Sequence, residues 1–313
     1  MASIAVISAC LALGTWVWKG WEAESQWESV RHYARGKSLY EEKQYGQALL
    51  LFQKASRRME NDPEVHLYLA LCHDHLDQPI LAEKAFEKAY RKGPDLPRVI
   101  YRKGLFHLKM KKYDRASALL SDYLRHRPED YEGRRERALA YEGMGAFEKA
   151  KEERNRADFL QAREYESKAN RHEEEREYHQ ALEQISQAIE LYPCEVYHLR
   201  KGKWLFQLGY YEECYRHFVS VLQDQKSVEM EEWLLKAAEK MQQYEVAYQQ
   251  GISLHERKPR GEFSLVLGRV AFHCGRYEKA VEYLGEVISD TAFPPSEKAD
   301  RKSTRLNSSH VSQ

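Results

Sequence analysis

Apolar positions recur at spacings of three and four through residues 29–293, and the whole pattern repeats about every 34 residues. In the stretch 63–96, Leu67, Leu69, Ala70 and Leu71 form the apolar side of one predicted helix. Asp77, Gln78 and Pro79 interrupt it, and Ala82, Ala85, Phe86 and Ala89 supply the apolar face of a second. A helix turns once in 3.6 residues, so these spacings put the side chains on one face. Gly93-Pro94 closes the stretch, because neither residue extends a helix. Aligning Ala48, Ala82, Ala116, Ala150, Ala181, Cys214, Ala247 and Ala280 exposes the repeat. Twelve residues upstream stands a Gly or Ala (Gly36, Ala70, Gly104, Ala138, Ala169, Gly202, Gly268), and four downstream a bulky apolar residue (Phe52, Phe86, Leu120, Ile185, Phe218, Leu284). Pro94, Pro128 and Pro193 close units. Two units depart: Arg154 takes the bulky position in the fourth, and Leu235 the small position in the seventh, which also lacks a terminal Pro.

The small positions have a steric role: the two helices of a hairpin cross there, and a larger residue overpacks the contact at a cost of roughly 1–3 kcal/mol. One hairpin cannot bury its own apolar faces, so it stacks on the next. The expected fold is all-α, a right-handed superhelical solenoid of about eight helix hairpins, preceded by an N-terminal hydrophobic helix. The unit boundaries fall near 29–62, 63–96, 97–130, 131–161, 162–194, 195–227, 228–260 and 261–293.

This unit resembles the tetratricopeptide repeat, whose small–aromatic–small–Pro pattern has these offsets. The units from Ser29, Pro63, Pro97, Ala162, Glu195 and Gly261 match best, and those from Tyr131 and Val228 less well. The resemblance implies that first helices line a concave groove for partner peptides. The positions it assigns are Tyr33, Lys37, Tyr40, Leu67, Leu71, Arg98, Tyr101, Leu105, Leu108, Arg135, Asn170, Lys203, Phe206, Arg269 and Phe272. Arg98 and Arg102 match the paired cations of the third repeat in chaperone-tail clamps. The rest of that clamp is missing, since Tyr33 and Lys37 replace its Lys and Asn and Tyr68 its second Asn. Arg98, Arg102 and Lys109 then point to a partner with acidic segments.

Charge qualifies this picture. With 49 basic and 49 acidic residues, no whole-chain field favours nucleic acid. The local asymmetry is larger. Arg98, Arg102, Lys103, Lys109, Lys111, Lys112, Arg115, Arg125 and Arg127 stand against Asp114 and Asp122 in the third unit and its flanks, and Arg134, Arg135 and Arg137 extend the run. Glu129, Asp130, Glu132 and Glu136 dilute it, and Glu173, Glu174, Glu175 and Glu177 make an acidic patch farther on. A solvated helix face is the alternative reading of such a run. The five cysteines (Cys10, Cys72, Cys194, Cys214, Cys274) are odd in number and form no CxxC pair, which argues against a disulfide framework or structural zinc.

The chain ends differ in kind. Residues 2–18 form an uncharged apolar run spanning ~26 Å, just short of a ~30 Å hydrocarbon core. Trp16, Trp18, Trp21 and Lys19 stand at its end like an interfacial belt. A membrane anchor over 1–21 with a linker at 22–28 is expected, giving a single-pass, membrane-anchored protein. Lys19, Arg31, Arg35 and Lys37 favour a cytoplasmic array, with an extracytoplasmic one as the alternative. A cleaved signal peptide fits less well, with no basic residue before the run and no A-x-A site after it. Ile7-Ser8-Ala9-Cys10 resembles a lipoprotein box but comes early. Residues 300–313 read like translated sequencing adapter, with 294–299 the start of a continuation; a disordered Ser-rich tail is the other reading.

Catalytic motifs fail on inspection. Gly143-Met144-Gly145 lacks a third glycine, and His172-Glu173 and His255-Glu256 lack the second His of a zinc-protease motif. His66, Cys72, His73 and His75 share one helix but not one face, so packing or solvation explains them better than a metal. The expectation is a non-catalytic scaffold at a membrane, binding proteins or peptides, without cofactor, metal, nucleic acid or small-molecule substrate. A regulatory repeat half of a larger enzyme and a soluble or secreted assembly factor are its rivals.

Overall fold

A computed structural model describes residues 27–223, 227–258 and 263–289, all helical apart from turns and short links. Helix α1 covers residues 27–41. After it come α2 (Tyr45–Ser56), α3 (Pro63–His75), α4 (Pro79–Lys92), α5 (Pro97–Lys109), α6 (Tyr113–His126), α7 (Tyr131–Gly143) and α8 (Phe147–Glu174). Then follow α9 (Tyr178–Leu191), α10 (Glu195–Gln207), α11 (Tyr211–Leu222), α12 (Val228–Lys240), α13 (Tyr244–Arg257), α14 (Phe263–His273) and α15 (Tyr277–Ser289). Two compact units divide the chain, Met1–Leu160 (unit 1) and Gln161–Gln313 (unit 2).

The repeat is clearest in its turns. A left-handed residue occurs at Lys43, Asp77, Lys111, Gly145, Arg176, Gly209, Gln242 and Gly275. Each turn reverses the chain after the first helix of a hairpin. The following N–H then bonds back to a carbonyl of the helix's last turn, as in Gln44 N–H to Leu39 O (2.8 Å) and Arg276 N–H to Ala271 O (2.9 Å). This satisfies carbonyls that the helix end leaves open. Successive turns lie 33 or 34 residues apart except for Gly145 to Arg176, which is 31.

That short interval has a direct cause. The break expected between 161 and 162 is absent: α8 runs unbroken for 28 residues. Its sequence holds no Gly or Pro, and it is rich in Ala, Glu, Lys and Arg, all strong helix formers. The second helix of the fourth hairpin and the first of the fifth are therefore one rod, and the residues of an inter-hairpin loop are missing.

The small positions do what the pattern implies. A Cβ added at Gly36 would lie 2.9 Å from the Phe52 ring, at Gly104 3.2 Å from Leu120, and at Gly268 2.7 Å from Leu284; at Gly202 it would overlap Phe218. Ala48, Ala82, Ala116, Ala181, Cys214 and Ala247 have no exposed surface. The two irregular hairpins pack by other means. Arg154 pairs with Glu142, while Arg134 and Arg137 share Glu153, all three side chains 14–16% exposed. In the seventh hairpin Leu235 is fully buried, and the downstream bulky position is instead Gly251, whose missing side chain makes room for Leu267 of the next hairpin, with Leu235 at ordinary contact distance.

One expectation is corrected. The single-pass, membrane-anchored localisation and its N-terminal hydrophobic helix find no support: no helix among the described residues is long and apolar enough to cross a membrane. Spanning needs about 20 apolar residues in one helix, whereas these helices are short or, like α8, strongly charged. The run 2–18 and the tail 300–313 lie outside the described residues.

Candidate partner-binding surface

Within unit 1 the first helices α1, α3 and α5 bring several expected residues together around Tyr68. The Tyr33 and Tyr40 rings meet Tyr68 edge-on, with centroids 5.9 and 5.4 Å away, and Lys37 Nζ lies 5.8 and 5.9 Å from the Tyr33 and Tyr68 rings. From α5, Arg98 donates to Glu64 Oε2 and to Tyr68 Oη, both at 2.8 Å. Leu67 and Leu71 do not belong to this surface: they are 0% and 7% exposed and pack in the apolar interior, so a partner meets neither. Leu105 is half-buried.

The basic run is largely internal. Lys109 binds Asp74, Lys112 and Arg115 share Glu83, and Arg125 pairs with Asp122. Lys103 is buried, its Nζ 2.7 Å from Glu87 and 4.1 Å above the Tyr90 ring. These bonds hold the Glu83 and Glu87 carboxyls below their ordinary pKa, the Lys112 and Lys103 hydrogen bonds being the main cause in each. Arg135 of α7 reaches Asp158 at 2.8 Å. Most of these pairs join one hairpin to the next, so charge that reads as a partner-facing patch is partly glue between repeats.

What stays open is a cleft of about 680 Å³ lined by Pro97, Arg98, Tyr101, Arg102, Tyr123, His126, Arg127, Pro128, Glu129 and Asp130. Pro97 starts α5, and the turn before α7 is fixed by Asp130, which accepts from Gly133 N–H at 2.9 Å and from the Tyr123 hydroxyl. The Tyr101 and Tyr123 rings lie 4.7 Å apart. Burial pushes Tyr101 up to about 12, reinforced by Glu136, Asp130 and Glu132. Arg102, His126 and Arg127 are exposed, and their side chains have no hydrogen bond or ion pair among the described residues. Sequence reasoning reached Arg98, Tyr101 and Arg102. It named Arg127 only as part of the basic run and did not reach Tyr123 or His126, because the groove assignment considered only first helices and these residues end a second; the paired Pro97-Arg98 and Arg127-Pro128 were the available signal.

Unit 2 carries its own expected positions. Lys203 pairs with Glu229 and lies 5.8 Å from the Trp233 ring, which Phe206 meets edge-on at 5.3 Å. Arg269 binds both oxygens of Glu239, at 2.6 and 2.9 Å, and the Phe272 ring lies 5.4 Å from Tyr277. Asn170 accepts from Arg200.

The histidines examined for metal chemistry have other partners. His66 contacts Glu60 O at 2.7 Å, His75 stacks on Tyr45 at 4.1 Å, and burial pushes the Cys72 thiol up to about 12. Among the described residues one group could hold a metal ion: the ligand atoms of His172, Glu175 and Glu177, at the α8–α9 turn, lie within 4.8 Å of one another. The His172–Glu177 contact is repeated by His73 and Gln78 at the same place in the second hairpin, which makes it a feature of the turn.

Residues 33–97 match the tetratricopeptide repeat family. That stretch covers α2 to α4 with most of α1, the region holding Tyr33, Lys37, Tyr40 and Tyr68. No curated protein matches the chain. Among solved structures, MamA from Desulfovibrio magneticus RS-1 (residues 41 to the end) is 20% identical over 64% of this chain and 98% of its own, with a TM-score of 0.36. The TPR domain of P58(IPK) is 14% identical over 91% of this chain and 99% of its own, with a TM-score of 0.33. At these scores the likeness is too loose to transfer a site or a partner.

Proposed function

We propose that the protein is a non-catalytic scaffold whose repeats hold segments of partner proteins, and that α1, α3 and α5 of unit 1 carry a principal docking surface. The observation that supports this reading is the cleft beside α5, where Arg98, Tyr101 and Arg102 meet residues ending α6 and opening α7. Aromatic walls with adjustable charged rims suit a peptide, because rings supply contact area at low entropy cost and guanidinium groups supply direction. The inter-hairpin ion pairs keep the helices in register, so the surface is formed before the partner arrives and less ordering is needed on binding.

The test is affinity capture with the full chain and with an Arg102→Glu, Arg127→Glu variant, followed by identification of bound proteins. Proteins retained by the wild type and lost by the variant are expected. The same set from both would remove the cleft from the reading, and none from either would end the scaffold reading. Neither residue has a partner to lose, so circular dichroism of the variant should be unaltered.

A further inference from the structure

The charges around the cleft are sorted by element. On the α5 and α6 side stand Arg98, Arg102, His126 and Arg127. Opposite them Glu129 and Asp130 line the cleft, and Glu132 and Glu136 follow on α7, near enough to act on the Tyr101 hydroxyl. They are not equally available. Arg98 is taken by Glu64 and Tyr68, and Asp130 by Gly133 and the Tyr123 hydroxyl. The side chains of Arg102, Arg127 and His126 on one side, and of Glu132 and Glu136 on the other, have no hydrogen bond or ion pair among the described residues.

We propose that this cleft receives a phosphorylated side chain of a partner protein, with a Lys or Arg of the same segment set against Glu132 and Glu136. The proposal rests on the scaffold reading and names the partner chemistry of that same surface. Two points favour phosphate over carboxylate. A carboxylate presents two oxygens and one negative charge, and a single guanidinium can engage both oxygens, as Arg269 does with Glu239. Two guanidinium groups and an imidazole, one from α5 and two from the end of α6, match a group with three acceptor oxygens and nearly two negative charges. The acidic wall supplies the second requirement. A purely anionic segment would be repelled by Glu132 and Glu136, whereas one carrying a cation beside its phosphate satisfies both walls. The volume of about 680 Å³ admits several residues, and the Tyr101–Tyr123 pair gives them an apolar floor.

The experiment uses the full chain and an immobilised array of degenerate heptapeptides. Each has a fixed central phosphoserine, phosphothreonine, phosphotyrosine, glutamate or unmodified serine, with Lys, Ala or Glu fixed two residues away. The wild type should prefer a phosphorylated centre to its unmodified form by about tenfold, and prefer Lys to Glu at the second position. Arg102→Gln with Arg127→Gln should remove the first preference, and Glu132→Gln with Glu136→Gln the second. No preference for phosphate in the wild type overturns the proposal. So does inorganic phosphate competing as strongly as the peptide, because the floor and the acidic wall would then contribute nothing. If unmodified peptides bind and the Arg102, Arg127 variant alone weakens them, the scaffold reading stands and this inference falls; if no peptide binds in any form, this inference falls and the cleft is removed from the scaffold reading as well.

Discussion

Hairpins α10–α11 and α12–α13 of unit 2 solve one packing problem in opposite ways. In the former the hole is on the first helix and the knob on the second: Gly202 leaves room for the fully buried Phe218. In the latter the first helix carries the bulk, Leu235, and the second carries the hole, Gly251. The turns differ as well, with Gly209 left-handed in one and Gln242 in the other. The repeat therefore demands a sum of volumes at the crossing rather than a fixed residue at each position, which is why a hairpin that violates the pattern twice still packs.

This comparison can be broken severely at Gly202. Gly202→Leu would drive a side chain into the Phe218 ring, and a loss of about 3 kcal/mol is expected in urea denaturation. A change under about 0.5 kcal/mol would mean that the helices do not cross there. The inverted hairpin offers a sharper test. Leu235→Gly should cost about 2–5 kcal/mol through its cavity, and Gly251→Leu about 1–3 through overpacking. Combined, they should recover a small part of the summed loss, because Leu267 lies closer to Gly251 than Leu235 does and takes most of the space. Strictly additive losses would show that the two positions do not share a volume. The turns give the smallest effect. Gln242→Gly should stabilise by about 0.5–1 kcal/mol by relieving a left-handed non-glycine residue, and Gly209→Gln should do the reverse. Equal midpoints for both variants and the wild type would remove the turn from the account.

Residues differ in how much of their role could be read in advance. Gly36, Gly104 and Gly268 stand against Phe52, Leu120 and Leu284 as the spacing implies, because a steric constraint between two helices of one hairpin is local and leaves a periodic trace. Lys103, Lys109 and Lys112 were misleading for the opposite reason. Their partners Glu87, Asp74 and Glu83 lie 16–35 residues away, and composition alone cannot tell a paired cation from a free one. Leu67 and Leu71 share the first-helix face with residues near the cleft, yet they are buried, since helix periodicity names a face without saying what covers it. The far wall of the cleft had only the two prolines to announce it.

The sequence alone determined the hairpin: where each helix turns, which residue is small and which bulky, and that one unit needs the next to cover its apolar face. These follow from bond geometry and side-chain volume within a few turns of chain. Tertiary structure decided the rest: α8 as a single rod, the seating of basic side chains on acids of neighbouring hairpins, and Arg102, His126 and Arg127 left open above the two tyrosines. Those outcomes depend on distances between residues that the chain order does not fix, and only stacked hairpins bring such residues within reach.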